Sequence, residues 1–396
     1  MRYMATKAQI QVQEFLVSVG PDYQYLPHPR RWGLPSMLEF EKENFGSLMT
    51  LMEDFGKKQL GMNDLAERIV TPSFRQQISK EMSRGVDPSF LPYKYAEVRH
   101  RAVNAPIFTV SPSLSKMLAD TGVKHDIPAL YLAPPCKTAF IEFEPAEERK
   151  ANLEKNPNPR YIEGCYIQET VVNGLHGPNY NEDFLEKMGL NKDEKTRLLD
   201  LVFPFTPMKD PARGASYLLD PCMMKQTIYI QNENESLIDI IKRQLHVTRD
   251  LQVAGGGDFI QANLNMELMQ ETLVRLSKTL LYLNLNIRDQ VVEKPGKEFE
   301  ARLRESGSKK RSKLERQAAR VYDRIVIGPK EYIPLAERSA DGSGEKGSKK
   351  PHFRRGYFGV RWTGSGEDKK PELVRIKECL IHKEKMVASA LDYEIR

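Results

Sequence analysis

Between Ser36 and Leu60, apolar residues at Leu38, Phe45, Leu48, Met49, Met52 and Phe55 recur at spacings of three, four and seven. Those spacings place them on one face of a helix. Ile10, Phe15 and Leu16 give a partial apolar face nearer the start. The link between the two, PDYQYLPHPRRWGLP, continues neither helix because proline lacks the backbone donor. Its Tyr23, Tyr25, Arg30, Arg31 and Trp32 read either as a turn anchored by packed aromatics or as a ligand contact. A second turn-rich stretch, DPSFLPYKY, follows.

Beyond it the pattern changes. SPSLSKMLADTG reads as a short helix with Ser111 as its N-cap and Pro112 in its first position. IPALYLA and KTAFIEFE, separated by PPCK, read as a pair of strands. RYIEGCYIQETVV, with partial alternation, is a third strand, and TIYIQN a fourth. SLIDIIKRQLHVTRDL is amphipathic through Leu237, Ile240, Ile241 and Leu245, and NLNMELMQETLVRLSKTLLYLNLNI is the most apolar helical run, expected to be buried. Helices beside antiparallel-looking strands predict α+β layer packing.

Composition narrows the class. The chain has 396 residues, 40% hydrophobic and 29% charged, which supports a sizeable core and room for two domains. Cys136, Cys165, Cys222 and Cys379 are widely spaced with no CxxC pair, so neither a zinc finger nor a redox dithiol is indicated. That usage fits a reducing cytosol, and the expected location is the cytoplasm of a bacterial host. No run reaches the roughly 18 apolar residues of a membrane span. MRYMATKAQIQVQEFLVSVG, interrupted by Gln and Glu, reads as an amphipathic helix rather than a signal peptide.

Charge is unevenly distributed. Residues 294–355 carry 18 Lys and Arg against 9 Asp and Glu, a local +9, whereas the whole chain carries only +6. A helical run, KEFEARLRESGSKKRSKLERQAARVYDRI, opens this region, and Lys309, Lys310, Arg311, Lys313, Arg316 and Arg320 form a positive strip on it. A polar linker, SADGSGEKGSKK, then leads to two predicted strands, FRRGYFGVRWTG and ELVRIKECLIH, joined by SGEDKKP. Here Lys349, Lys350, Arg354, Arg355 and Arg361 interleave with His352, Phe353, Tyr357, Phe358 and Trp362. Cations pair with phosphates while ring faces stack on unpaired bases. The same mixture suits a peptide laid along a strand, and a solvated helix followed by a strand with core aromatics is the plainer alternative.

Catalytic signals are sparse. The seven histidines, His28, His100, His125, His176, His246, His352 and His382, show no metal-ligand spacing. His246 and Asp250 lie one helical turn apart, an arrangement open to acid–base work or to a surface hydrogen bond. GGGD at 255–258 lacks the Lys-Ser/Thr of a phosphate loop and reads as a helix–helix connection. NGLHGPNYNED is polar and turn-like, and it specifies no ligand. No cofactor, metal site or catalytic residue is assigned, and partner binding is favoured over catalysis.

KPHFRRGYFGVRWTG with ELVRIKECLIH resembles the C-terminal signature of a phage- and plasmid-borne family, the type V-A anti-CRISPR proteins that suppress production of the single-effector nuclease. IFTVSPSLSKMLADTGVKHDIPALYL with KTAFIEFE, then RYIEGCYIQET, then LVRLSKTLLYLNLNIRD, are similar to it and occur in the expected order. The resemblance extends from about residue 100 to the C-terminus. Pro351, His352, Arg354, Arg355 and Gly356 match the family pattern; Tyr357 stands where relatives carry histidine, and Ile376, after Arg375, where they carry tryptophan. The resemblance implies recognition of the emerging N-terminal end of the nuclease during translation, with loss of its message.

The expectation is therefore an α+β protein: an N-terminal helical region (1–95), an α+β core (96–293), and a basic C-terminal region (294–396) with a helix and a strand pair. Its expected partner is a host effector polypeptide, the nascent type V-A nuclease, with RNA or a ribosome-associated assembly alongside and no membrane. The docking residues are Lys309, Lys310, Arg311, Lys313, Arg316, Arg320, Lys349, Lys350, His352, Arg354, Arg355, Tyr357, Arg361 and Trp362. The alternatives are a phage or plasmid nucleic-acid-binding regulator unrelated to CRISPR, and an RNA nuclease using His246, Asp250 and His352.

Overall fold

The computed structural model describes residues 24–33, 35–72, 91–157, 161–177, 180–206, 223–254, 259–285, 289–305, 307, 314, 317, 321–332, 352–365, 369–377 and 379–381. Its helices are α1 (His28–Trp32), α2 (Pro35–Lys57), α3 (Met62–Val70), α4 (Leu91–Ala102), α5 (Pro112–Asp120), α6 (Ala146–Lys155), α7 (Glu182–Met188), α8 (Leu237–Ala254), α9 (Phe259–Leu283) and α10 (Pro295–Glu305). Its strands are β1 (Ile107–Val110), β2 (Gly122–Val123), β3 (Thr138–Glu142), β4 (Gly164–Val172), β5 (Thr196–Pro204), β6 (Met223–Ile230), β7 (Gln290–Glu293), β8 (Arg324–Ile327), β9 (His352–Arg354), β10 (Tyr357–Thr363), β11 (Lys370–Ile376) and β12 (Cys379–Ile381).

A seven-stranded sheet, ordered β6-β5-β4-β3-β1-β8-β7, divides the fold. β6 to β3 are antiparallel neighbours, β1 runs parallel to both β3 and β8, and β7 closes antiparallel on β8. Alternation sends Ala139, Ile141, Cys165, Ile167, Leu201 and Phe203 to one core, with α5, α8 and α9. Phe140, Tyr166 and Val202 go to the other, under α1 to α4. The architecture is α+β, as the pattern predicts.

Burial on both faces explains why several strands escape the alternation test. In β5, Leu198–Pro204 is buried throughout, so its sequence is a nearly continuous apolar run rather than an alternating one. β1, β7 and β8 are short, and the β1–β8 ladder joins residues more than two hundred positions apart.

Three expectations are corrected. Residues 127–133 are not a strand: Ala129–Leu132 forms a 3₁₀ turn whose amides at Ala129 and Leu130 donate to the Glu235 and Glu233 carbonyls. β3 pairs instead with β4 and β1. The basic helical run does not reach residue 325: α10 covers Pro295–Glu305, Leu314 and Gln317 are helical beyond it, and Arg324–Ile327 is a strand inside the main sheet. Val326 and Ile327 gain ladder hydrogen bonds and burial there that an isolated charged helix would not supply. DPSFLPYKY likewise ends inside α4, with Pro92 in its first turn.

The short helix is as read, Ser111 Oγ accepting from the Leu114 amide with Pro112 following. The C-terminal runs do form a hairpin, β10–β11, which joins β2 in a three-stranded sheet. Each run also breaks, so that β9 and β12 pair separately.

Candidate functional site

In the β10–β11 hairpin, directly opposed residues share a face. Phe358, Val360 and Trp362 oppose Arg375, Leu373 and Pro371 on one side; Tyr357 and Arg361 oppose Ile376 and Glu372 on the other. Phe358 and Leu373 are buried in the first core, which fixes the base of the hairpin. Tyr131 adds a brace, its hydroxyl donating to the Pro371 carbonyl at 2.8 Å. Trp362 continues the same face past the end of the core and stays 61% exposed. Arg361, on the other face, and Lys369 and Lys370 are exposed at the same end of the hairpin. Arg361 Nη2 donates to Glu372 Oε2 at 2.8 Å across the strands, so part of its charge is answered within the hairpin.

The base carries a different cluster. Arg355 is exposed, Tyr357 is half-buried beneath Lys124 Nζ at 4.6 Å, and Arg375 Nε donates to Thr121 Oγ1 at 3.3 Å. Lys278 Nζ donates to the Leu118 carbonyl at 2.7 Å, at the C-terminal end of α5. Burial, then the Arg355 charge, holds the Lys278 ammonium below its usual pKa, although Asp120 opposes them. Ile376, 37% exposed, lies at this end on the opposite face from Trp362. The interleaved segment thus presents two cationic, ring-bearing places, a tip and a base, while Phe358 belongs to the core.

Of the other sequence-predicted docking residues, Lys309, Lys310, Arg311, Lys313, Arg316, Arg320, Lys349 and Lys350 lie outside the described residues. His352 and Arg354 place their backbones on β9, opposite Ile381 and Cys379, with their side chains outside the described set. His246 is exposed on α8, but Asp250 Oδ1 accepts from Arg249 Nη2 and Nε at 2.7 and 2.9 Å.

Sequence reasoning missed a second feature, a cleft of about 980 Å³ between α1, the end of α4, and the β7–α10–β8 edge. Arg30, Glu97, His100, Arg101, Tyr322 and Arg324 are among its walls. Beneath it lies a buried ionic network. Glu163 Oε2 accepts from Arg31 Nη1 at 2.8 Å, and its Oε1 from the His28 amide at 2.6 Å. Arg149 Nη2 donates to Glu142 Oε1 at 2.7 Å, and Thr109 and Tyr322 hydroxyls donate to Glu142 Oε2 at 2.7 and 2.9 Å. Burial raises the Glu142 pKa against the pull of Arg149 and these donors. Burial also pushes His100 down to about 4, and burial, with the Arg31 charge adding to it, holds His28 well below the usual histidine pKa. Both rings are therefore neutral at pH 7. The only sequence signal was a carboxylate embedded in an apolar strand run, as at Glu142 in TAFIE.

These charges bolt the N-terminal helices to the sheet. They form no metal centre: among the described residues no His, Cys, Asp or Glu cluster could hold an ion. Nor, among them, is any helix long and apolar enough to cross a membrane.

The AcrVA2-like profile, described as the anti-CRISPR type V subtype A2 family, matches residues 108–383. The chain belongs to that family. The match begins in β1 and ends just beyond β12, so it takes in the main sheet and the C-terminal hairpin and leaves α1 to α4 outside. This anti-CRISPR protein is also similar to a solved structure described as the crystal structure of AcrVA2. The likeness covers 95% of this chain and 99% of that one, at 13% identity and a TM-score of 0.38. No curated protein matches it. Family membership makes it a counter-defence protein of the anti-CRISPR class.

Proposed function

We propose that this anti-CRISPR protein acts by binding a host effector polypeptide, the nascent type V-A nuclease, through the tip and base of the β10–β11 hairpin, with RNA contacted alongside. The observation that carries the proposal is Trp362, 61% exposed on a hairpin whose root is anchored by buried Phe358. A large exposed ring, with Arg361, Lys369 and Lys370 exposed at the same end of the hairpin, has the composition of an interface hot spot. Arg355, with Lys278, Arg375 and Lys124 near it, extends the positive surface at the root. His352, Arg354, Lys349, Lys350 and the 309–320 cations belong to the same proposed surface.

The test is cell-free translation of the type V-A nuclease with the purified protein, followed by capture of ribosome–nascent-chain complexes. Trp362→Ala and the pair Arg354→Ala/Arg355→Ala are expected to lose capture while melting like the wild type, since Trp362 and Arg355 are exposed and exposed side chains contribute little to stability. Undiminished capture by both variants would refute the assignment. RNA contact through several phosphates predicts a steep fall in affinity between 50 and 200 mM salt, on the order of 10³-fold for six contacts. A flat salt response would remove RNA from the proposal and leave the polypeptide.

A further inference from the structure

The β10–β11 hairpin has two outer edges, and they differ. On the β11 side Pro371 brings no N–H, and its outward carbonyl already accepts from the Tyr131 hydroxyl at 2.8 Å. A proline and a capped carbonyl keep a strand edge from pairing further. On the β10 side β2 supplies only Gly122 and Val123, opposite Tyr357 and Phe358. The Gly122 and Lys124 amides donate to the Gly356 and Phe358 carbonyls at 2.9 and 3.1 Å, so even-numbered residues of β10 turn their backbone groups to this side. Val360 and Trp362 therefore present their N–H and C=O along the same edge beyond β2, and among the described residues no strand meets them.

The two faces beside this open edge are unlike. On the inner face Val360 is half-buried against the first core, and Trp362 follows it into water. On the outer face the exposed Lys124 runs along Gly359, where an added Cβ would stand 3.3 Å from Lys124 Cδ, and reaches the Tyr357 ring. Arg361 comes next on that face; its partner Glu372 stands on the β11 side, away from the open edge. One side of the edge is thus apolar and ring-bearing, and the other carries two cations separated by a residue without a side chain.

We propose that β10 takes on a strand of the target polypeptide along Val360 and Trp362, an extended segment that alternates apolar with acidic residues. This rests on the reading of the protein as a binder of a polypeptide. Directly opposed residues share a face, so the segment's apolar side chains meet Val360 and Trp362 while its carboxylates meet Lys124 and Arg361. The backbone selects the class of partner. Alternating donors and acceptors are matched by another extended peptide backbone, whereas the phosphates of a nucleic acid only accept and leave both carbonyls unmet. A second copy of β10, laid antiparallel with Val360 opposite Trp362, sets Arg361 directly against its own copy, which like charge disfavours.

The test uses the full-length protein and a short blocked peptide alternating valine with glutamate, read by hydrogen exchange at single amides. Binding should slow exchange of the Val360 and Trp362 amides by about tenfold or more. The same peptide with lysine in place of glutamate should bind roughly tenfold more weakly. Val360→Pro removes one outward donor and spares the β11 ladder, so it should weaken both the peptide and nascent-nuclease capture by roughly tenfold. If that variant melts early, methylating the peptide's valine amides or its glutamate amides tests the ladder from the other strand, and one of the two must abolish binding. Unchanged exchange at Val360 and Trp362 in the bound state, equal binding of the lysine peptide, or full binding by Val360→Pro and both methylated peptides overturns the proposal. So does protection of those amides by single-stranded RNA, or by rising protein concentration without peptide, which would make the occupant a nucleic acid or a second copy. Undiminished capture by a folded Val360→Pro, with capture lost in Trp362→Ala, overturns the added strand and keeps the functional reading. A wild-type protein that adds the peptide strand yet captures no nuclease overturns the functional reading and its named partner, and leaves the open edge standing.

Discussion

Replacing Arg149 by Met should release the N-terminal helices in a pH-dependent way. Arg149 is fully buried; besides Glu142 it donates through Nη2 and Nε to the Tyr25 carbonyl at 2.6 and 3.2 Å, and through Nη1 to the Glu163 carbonyl at 3.2 Å. Met fills the stem but leaves Glu142 buried without its cation. Breaking such a pair from one side costs about 3–5 kcal/mol. Protonation of Glu142 sets a ceiling on the charge part of that cost. From an unfolded pKa of about 4.3, neutralising a carboxyl at pH 7 costs about 3.7 kcal/mol, and at pH 5 about 1 kcal/mol.

The sign follows from the direction of the shift. Glu142 already has its pKa raised by burial, and loss of Arg149 raises it further. The folded state then holds a proton that the unfolded state has released. The penalty is thus absent below the unfolded pKa, grows as pH rises above it, and levels off once pH passes the folded pKa. Arg149→Met should therefore lose about 3–4 kcal/mol relative to wild type at pH 7 and distinctly less at pH 5. Adding Glu142→Gln should recover most of the pH-dependent part. Urea melts read by tryptophan emission suit this, because Trp32 in α1 is 5% exposed and Trp362 is already 61% exposed in the native state. The spectral change therefore reports α1. A deficit identical at both pH values, or unchanged by Glu142→Gln, would refute the reasoning.

Neutral buried His100 gives a second pH effect of opposite sign. Its folded pKa of about 4 lies below the unfolded value of about 6.5, so its contribution is present above pH 6.5 and lost as pH falls toward 4. The loss amounts to roughly 3 kcal/mol from the 1.36 kcal/mol per unit relation, and a His100 NMR titration midpoint near 6.5 would contradict it. Gly328→Ala should destabilise by about 2 kcal/mol or more in the same melts. Gly328 has φ +123°, and a Cβ there would sit 2.4 Å from both Leu114 Cβ and Ser111 Oγ, at the start of α5. Wild-type stability for that variant would contradict the tight approach of β8 to this helix. Glu372→Ala, which removes the half-buried partner of exposed Arg361, should change stability by no more than about 0.5 kcal/mol in urea melts while strengthening capture of an acidic probe peptide. A larger loss would mean that the pair holds the hairpin together.

The local code of this protein was legible where one face of an element is wet. The apolar spacing of α2, the Ser111–Pro112 start of α5, the amphipathic α8 and the hairpin sequence each declare themselves within a dozen or so residues, because periodicity and caps are local properties. Family resemblance was legible in the ordered motifs from IFTVSPSLSK to ECLIH, and the matched span 108–383 contains all of them but the first residue, Ile107. The proposed docking residues could be nominated from charge and ring content, but not sorted. Phe358 and Trp362 stand four residues apart in one strand, and only packing sends one into the core and leaves the other in water.

What the tertiary structure decided was everything that depends on distant partners. β8 is a strand because β1, more than two hundred residues earlier, offers its free edge; alone, its basic neighbourhood reads as helix. β5 is hidden from pattern analysis by having two dry faces. Glu142, Glu163, Arg31 and Arg149 look like ordinary surface charges until the fold brings them together out of water, where each must find a counter-charge or hydrogen-bond partner. Sequence sets the period of each element and the charge it carries. Which faces become buried, and so which charges must be paired, is fixed by long-range strand order.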